Sequence, residues 1–312
     1  MHETTFVMST KQTIREAFIE ASSFLTVCGV TEPQRSAQLL LEHVLKLEGA
    51  AYFMALPEPF PAERREPWEQ AVSRRGSGEP AQYITGEQEF YGLPFEVTPA
   101  VLIPRPETEL LVEAVLTQAK RLWPQGAMPS GGASSEDGAL RPLECADIGT
   151  GSGAIAVTLA LQAPRWHVRA SDISQGALQV AARNAAANGA QVAFLEGNLL
   201  EPFAGGWLDI LVSNPPYIPA ADIDGLQREV RDHEPRTALD GGTDGLGPYR
   251  LMMEQLPLLQ APPRLIGFEL GQGQAQDVAE LLRAAGHWDE IIIVPDLAGI
   301  ERHVLGVSTR LR

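Results

Sequence analysis

Cysteine is nearly absent from this 312-residue chain: Cys28 and Cys145 are the only two. Each sits in an apolar context, which suits two buried free thiols in a reducing compartment. No run of 18 apolar residues occurs, so no transmembrane helix is expected. The first residues carry Glu3 and lack a basic segment followed by an apolar one. No signal peptide is therefore expected, and Met8 is an alternative start to Met1. Basic residues are outnumbered, 24 Lys and Arg against 40 Asp and Glu, for a formal net charge of -16. An acidic surface repels phosphate, which argues against nonspecific grip on DNA or RNA; it suits a basic protein partner, although solubility alone also explains it. The six histidines are scattered, and no His/Cys/Asp spacing suggests a metal site. These absences lead us to expect a cytoplasmic protein with no metal, no membrane contact and no direct nucleic-acid partner.

What is present is ordinary globular material, with 44% hydrophobic residues and length for one large and one small domain. Residues 10–84 read as helical. Ile14, Ala17, Phe18, Ala21, Phe24, Leu25 and Cys28 share one helix face, and Gly29 ends that helix. Thr31 and Gln34 suggest a capping box around Pro33, followed by the stripe Leu40, Leu41, Val44 and Leu45. A third helix is expected near Ala62 to Arg74. Gln88 to Thr98 reads as a β-hairpin and Glu107 to Leu122 as an amphipathic helix. Pro124 to Pro142 has no periodicity and should be a flexible surface loop.

Strands are then expected near 143–148, 166–171, 191–196, 207–213, 264–270, 290–294 and 301–307. Helices should separate the first five, with another near 274–285. The last two strands lack a helix between them and should pair antiparallel. The expected fold is α/β: a seven-stranded, mostly parallel Rossmann-like sheet with a small N-terminal helical domain. Expected bounds are 1–85 for a helical bundle that docks substrate, 86–103 for a hairpin linker, and 104–312 for the catalytic domain.

Two segments carry chemistry. Asn214-Pro215-Pro216-Tyr217 follows the apolar run Leu208 to Ser213, at the carboxyl end of a parallel strand, where open α/β sheets place ligands. The prolines stiffen a non-helical turn. It presents the Asn214 side-chain oxygen, the Pro215 carbonyl oxygen and an aromatic ring. Two acceptors and a plate can grip a planar –NH2 group, although an ordinary Pro-rich turn has the same composition. The second segment is Gly149-Thr150-Gly151-Ser152-Gly153, between a strand and an apolar helix, with Asp172 closing the next strand. Such a turn lets a ligand approach bare backbone, and the acid can accept ribose hydroxyls. Alone, it suits NAD, a nucleotide or S-adenosylmethionine about equally, or a tight packing turn with no ligand. Only a methyltransferase acting on an amino or amide nitrogen needs both segments.

In order and spacing the chain resembles the class I S-adenosylmethionine-dependent methyltransferases. More narrowly, it resembles the release factor glutamine methyltransferases. That resemblance rests on Gln82 to Gly86, Glu89 to Gly92 with Phe95, Val101 to Glu109, Asp147 to Gly153, Asp172, Asn214 to Tyr217, His233 to Pro235, Ala238 to Gly242, Asp244 to Leu246 with Tyr249-Arg250, and Glu269 to Gly271. It implies methylation of the side-chain amide (N5) of the Gln in the Gly-Gly-Gln tripeptide of peptide chain release factors. It implies S-adenosylmethionine against Gly149 to Gly153, Asp172, Asn198, Leu199 and Asn214, and the substrate amide against Asn214, Pro215, Pro216 and Tyr217. An Asp often stands where Asn198 does; Asn can accept the same adenine bond. Arg105 and Glu269 are open between structural and active-site roles. The run Arg228, Glu229, Arg231, Asp232 reads as a solvated face. The long segment Ile218 to Gly247 can form part of a substrate groove. A monomer is expected. The alternatives are an N6-adenine nucleic-acid methyltransferase and a non-catalytic module that docks release factors.

Overall fold

A computed structural model describes residues 5–129 and 140–310. The chain forms two compact units. One comprises Met1–Glu87 with Leu226–His233, and the other Gln88–Gly225 with Glu234–Arg312.

The smaller unit is helical, with helices Ile14–Val27, Pro33–Leu45, Gly49–Ala55, Arg65–Gly76 and Ala81–Thr85. Ile14, Ala17, Ala21 and Leu25 form the buried face of the first, packed with Leu40, Leu41, Val44, Trp68 and Val72. The capping box falls elsewhere than expected. Thr13 Oγ1 accepts the Glu16 N–H and the Glu16 carboxylate accepts the Thr13 N–H at 2.8 Å. The second helix opens at Pro33 with Glu32 as its left-handed N-cap, which leaves Thr31 outside the capping position. The third expected helix opens as a 3₁₀ turn, Ala62–Arg64.

The Arg228–Asp232 run is not all solvated. Arg75 is buried, and its guanidinium donates to Ser36 Oγ, to the Glu79 main-chain oxygen and to the Glu229 carboxylate. Burial lowers the Arg75 pKa and Glu229 opposes the shift. A buried guanidinium requires such a counter-charge, and the acid comes from a segment far away in sequence. Cys28 is half-buried, whereas Cys145 is buried in the sheet; neither is in a disulfide.

The hairpin β1 (Glu87–Phe90) and β2 (Leu93–Glu96) turns through Tyr91 and Gly92, both at positive φ, as a tight two-residue turn requires. In the larger unit, the helix Pro106–Leu122 follows. The expected loop Pro124–Pro142 has paired ends, β3 (Ala127–Pro129) and β4 (Leu140–Pro142), antiparallel; its residues 130–139 lie outside the described residues.

Seven strands form the main sheet: β5 (Glu144–Ile148), β6 (His167–Asp172), β7 (Val192–Glu196), β8 (Ile210–Ser213), β9 (Leu265–Glu269), β10 (Glu290–Pro295) and β11 (Glu301–Val307). Their order is β10-β11-β9-β8-β5-β6-β7. Pairing is parallel from β9 to β7, while β11 runs antiparallel to both β9 and β10. Ile210 and Val212 face one core and Leu211 the other, so both faces of β8 are covered. One connection differs from expectation. Between β7 and β8 there is only a 3₁₀ turn, Glu201–Phe203. Gly197, Pro202, Gly205 and Gly206 leave no uninterrupted stretch for an α-helix.

The chain runs outward from β5 through β6 to β7, then returns to β8 on the other side. The strand order therefore reverses between β5 and β8, and the crevice at their carboxyl ends is where ligands bind in open α/β sheets.

Candidate active site

Ile148 of β5 lies beside Ser213 of β8, and Ser213 Oγ donates to the Ile148 main-chain oxygen at 2.6 Å. The glycine turn and the Asn214–Tyr217 turn thus leave the sheet side by side. Between them opens a cleft of about 450 Å³, within the range of roughly 300–1,000 Å³ usual for small-molecule sites.

The glycine turn is held from below by Asp147. Its Oδ2 accepts the Thr150 hydroxyl at 2.6 Å and the Ala156 N–H at 3.2 Å, while Oδ1 has no hydrogen-bond partner among the described residues. Asp147 is fully buried, and burial pushes its pKa up to about 7; the two hydrogen bonds oppose the rise and the charge of Asp172 adds to it. Gly151 has φ +55 and open space where a side chain would stand, so a ligand can reach bare backbone. Gly153, at φ +84, has a packing reason instead: a Cβ would lie 3.1 Å from that of Ala181.

Asp172 Oδ2 accepts the Gly151 N–H at 2.9 Å and Oδ1 accepts the Ser174 N–H at 2.8 Å. Each oxygen keeps acceptor capacity for a further donor. Burial raises the Asp172 pKa against the pull of those backbone N–H groups. Asn198 and Leu199 also line the cleft, as does Ile173, an apolar side chain left 65% exposed. Gly153 does not line it, unlike the other four residues of its turn.

On the opposite wall, Asn214 Nδ2 donates to Thr108 Oγ1 at 3.2 Å. Using the amide nitrogen there leaves the Asn214 Oδ1 as the acceptor available to a ligand. Asn214 and Pro216 line the cleft, whereas Pro215 is buried and Tyr217 lies against Gly271. Burial raises the Tyr217 pKa, helped by the charge of Glu269. A Cβ on Gly241 would stand 2.9 Å from the Pro216 carbonyl oxygen, so the segment after Ala238 crosses the turn closely because it carries glycine.

Arg105 was open between an ion pair and a place at the cleft, and the structure gives it both contacts. It lines the cleft and pairs with the buried Glu234 at 2.6 Å. Glu269 is not in the cleft lining; its carboxylate lies 3.8 Å from His303, both buried. Thr108 and Ile173 were missed as site residues by sequence reasoning. Thr108 falls inside the Val101–Glu109 run, which flags the segment but not the contact.

A mostly parallel seven-stranded sheet in this order, with antiparallel β11 set between β9 and β10 and the glycine turn and acid-capped strand at its switch point, is the class I methyltransferase fold. The catalytic domain of hMettl16, crystallised with MAT2A 3′UTR hairpin 6, shares the fold at TM-score 0.51 and 15% identity, over 76% of this chain and 81% of that one. Residues 16–86 match the PrmC N-terminal domain family, and residues 139–229 match the Methyltransferase small domain family. A protein of Moorella thermoacetica named release factor glutamine methyltransferase is 44% identical over 293 residues, 93% of this chain and 96% of that one. One of the same name from Bacillus subtilis is 42% identical over 295 residues, covering 94% and 97%. The chain belongs to the release factor glutamine methyltransferase family.

Proposed function

We infer that this chain methylates the side-chain amide nitrogen of the Gln in the Gly-Gly-Gln tripeptide of peptide chain release factors, using S-adenosylmethionine. The observation that carries this reading is the Asn214 amide, tied by its nitrogen to Thr108 so that its oxygen is left to accept. Family membership supports the same reaction.

The donor set of the cleft fits the cofactor. Gly149 to Ser152 offer backbone to its methionine part, and the Asp172 oxygens can accept ribose hydroxyls. Asn198 can accept from the adenine amino group, and Ile173 and Leu199 supply apolar surface beside it. Bound there, S-adenosylmethionine supplies an electrophilic methyl group on a sulfonium.

The protein's task is the nucleophile, because an amide nitrogen has its lone pair tied up with the carbonyl. We assign Asn214 Oδ1 and the Pro215 carbonyl oxygen to the two amide hydrogens. Both contacts strengthen as positive charge develops on nitrogen, which favours the transition state over the bound substrate. Pro216 stiffens the turn and Tyr217 helps position the substrate. No general base is assigned; the proton leaves to water once the nitrogen is alkylated. The helical unit is proposed to dock the release factor, and the enzyme to act as a cytoplasmic monomer. No helix among the described residues is long and apolar enough to cross a membrane. The net charge of -16 weighs against the nucleic-acid alternative, and the intact Asn214 and glycine turn weigh against a non-catalytic module.

The test is mass spectrometry of a release factor incubated with the enzyme and S-adenosylmethionine. One methyl group should appear on the tripeptide Gln. Asn214→Ala should slow single-turnover transfer about 10²–10³-fold, the scale for losing one preorganised polar contact. Methylation elsewhere, or an unimpaired Asn214→Ala enzyme, would refute the assignment.

A further inference from the structure

We propose that Gln274 is a positioning residue that holds the Asn214–Tyr217 turn in its working shape, a role that rests on the function proposed above. Backbone groups from three separate segments converge on its side-chain amide. Nε2 donates to the Tyr217 main-chain oxygen at 2.9 Å and reaches that of Asp244 at 3.4 Å. Oε1 accepts the Gly271 N–H at 2.8 Å. These partners fix which end of the amide is which. Reversed, its oxygen would face two carbonyl oxygens and its –NH2 an N–H.

Two glycines make room for the clamp. A Cβ on Gly245 would collide with the Tyr217 carbonyl and with Gln274 Nε2, and Gly245 has φ +77 besides. A Cβ on Gly271 would stand 2.9 Å from Gln274 Oε1 and 3.2 Å from Tyr217 Cδ2. Gln274 therefore ties the end of the turn to the end of β9 and to the segment that crosses over it.

The consequence concerns the acceptor that has no side chain of its own. Asn214 is held at the near end of the turn by Thr108. Tyr217 is held at the far end by Gln274. The Pro215 carbonyl lies between two anchored ends, with Pro215 and Pro216 restricting φ. Its direction is set by the anchors, and a displacement of about 1 Å in a positioned reacting group can cost about 10²-fold in rate. Gln274 acts on the substrate amide only through this turn.

The experiment compares wild type, Gln274→Glu, Gln274→Met and Asn214→Ala in single-turnover methyl transfer. The substrate is a release factor bearing the tripeptide, at saturating S-adenosylmethionine. Cofactor affinity and melting temperature are measured alongside. Glu keeps the size and the acceptor but sets a charged oxygen against two carbonyls; Met keeps only the length. Both Gln274 variants should transfer methyl about 10- to 100-fold more slowly, with cofactor affinity and melting temperature near those of wild type. Lowering the pH from 8 to 6 should narrow the Glu deficit relative to wild type, because a protonated Glu can donate again. The Met deficit should stay constant. Asp244, paired with Arg250 at 2.6 Å, and the buried Glu269–His303 pair flank this region and are common to every variant, so they cancel in the ratio. Wild-type rates in both Gln274 variants would overturn the proposal. So would a Glu deficit that ignores pH, or rate losses that merely track lost cofactor affinity and melting temperature. If Asn214→Ala is slow while the Gln274 variants are fast, only the clamp fails. If Asn214→Ala is itself fast, the underlying reaction assignment fails.

Discussion

Replacing Asp147 with Asn should change how stability depends on pH, and the structure gives the size. The folded carboxyl titrates at about 7, against 3.8 for the ordinary group. Burial is the main cause, since Asp147 has no solvent exposure and Oδ1 has no partner among the described residues. Between these two values the folded protein holds a proton that the unfolded chain has released. Stability from this group therefore falls as pH rises from about 4 to 7, by up to ~1.4 kcal/mol per unit and roughly 4 kcal/mol in total. Below about 4 the cost is absent; above 7 it is fully present. Asn keeps an oxygen for Thr150 and Ala156 and cannot ionise. Urea unfolding of both proteins between pH 4.5 and 8 reads the difference. Every tryptophan but Trp68 lies in the larger unit, so tryptophan fluorescence reports mainly on that unit. Asp147→Asn should gain on wild type as pH rises to about 7 and hold that gain above it. A difference that stays constant across the range would show that Asp147 is ionised, or protonated, throughout, and would refute the reasoning.

Thr108→Val preserves shape and removes the acceptor for Asn214 Nδ2. Losing one hydrogen bond worth about 1 kcal/mol, and freeing the amide to turn over, should slow single-turnover transfer about 3- to 10-fold with cofactor affinity unchanged. An unaltered rate would show that Asn214 is oriented by something else. Glu229→Ala strips the counter-charge from Arg75, whose side chain is 4% exposed. It should destabilise the helical unit by roughly 2–3 kcal/mol, less than a fully buried pair because Glu229 is 24% exposed. Circular dichroism of the melting transition checks this, and an unchanged midpoint would show that water already satisfies the guanidinium.

What could be read from the sequence was whatever a residue type dictates about its own backbone. Gly151 and Gly153 need positive φ, Pro215 and Pro216 cannot continue a strand, and the apolar runs of β5, β8 and β9 suit only a sheet buried on both faces. Those requirements are local. What stayed hidden were contacts between distant segments. Thr108 and Asn214 are 106 positions apart, Tyr217 and Gln274 are 57 apart, and Arg75 and Glu229 are 154 apart. A Thr, a Gln and a Glu carry no local sign of the partner that the fold will deliver. The two local misreadings share one cause. A Thr-x-x-Gln pattern and a span between strands both suggested helix starts or helices, and prolines and glycines within them decided otherwise.

The distribution of hydrogen bonds around the cleft bears on why an amide, rather than an amine, suits this site. An aliphatic amine, once deprotonated, brings a free lone pair and needs little beyond approach. An amide nitrogen gains nucleophilic character only as it loses conjugation, so its two hydrogens must be held where the attacking geometry puts them. That demands two acceptors whose separation does not adjust to the planar ground state. On the assignment proposed above, one acceptor belongs to a side chain fixed by Thr108, and the other to backbone between two prolines. The glycines at 241 and 245 admit a second segment close enough to brace that backbone. Rigidity on this wall contrasts with the opposite one, where Gly151 and Ile173 leave open space and apolar surface. On the proposed reading, one side of the cleft accepts a ligand of fixed shape, and the other imposes a shape on the group that reacts.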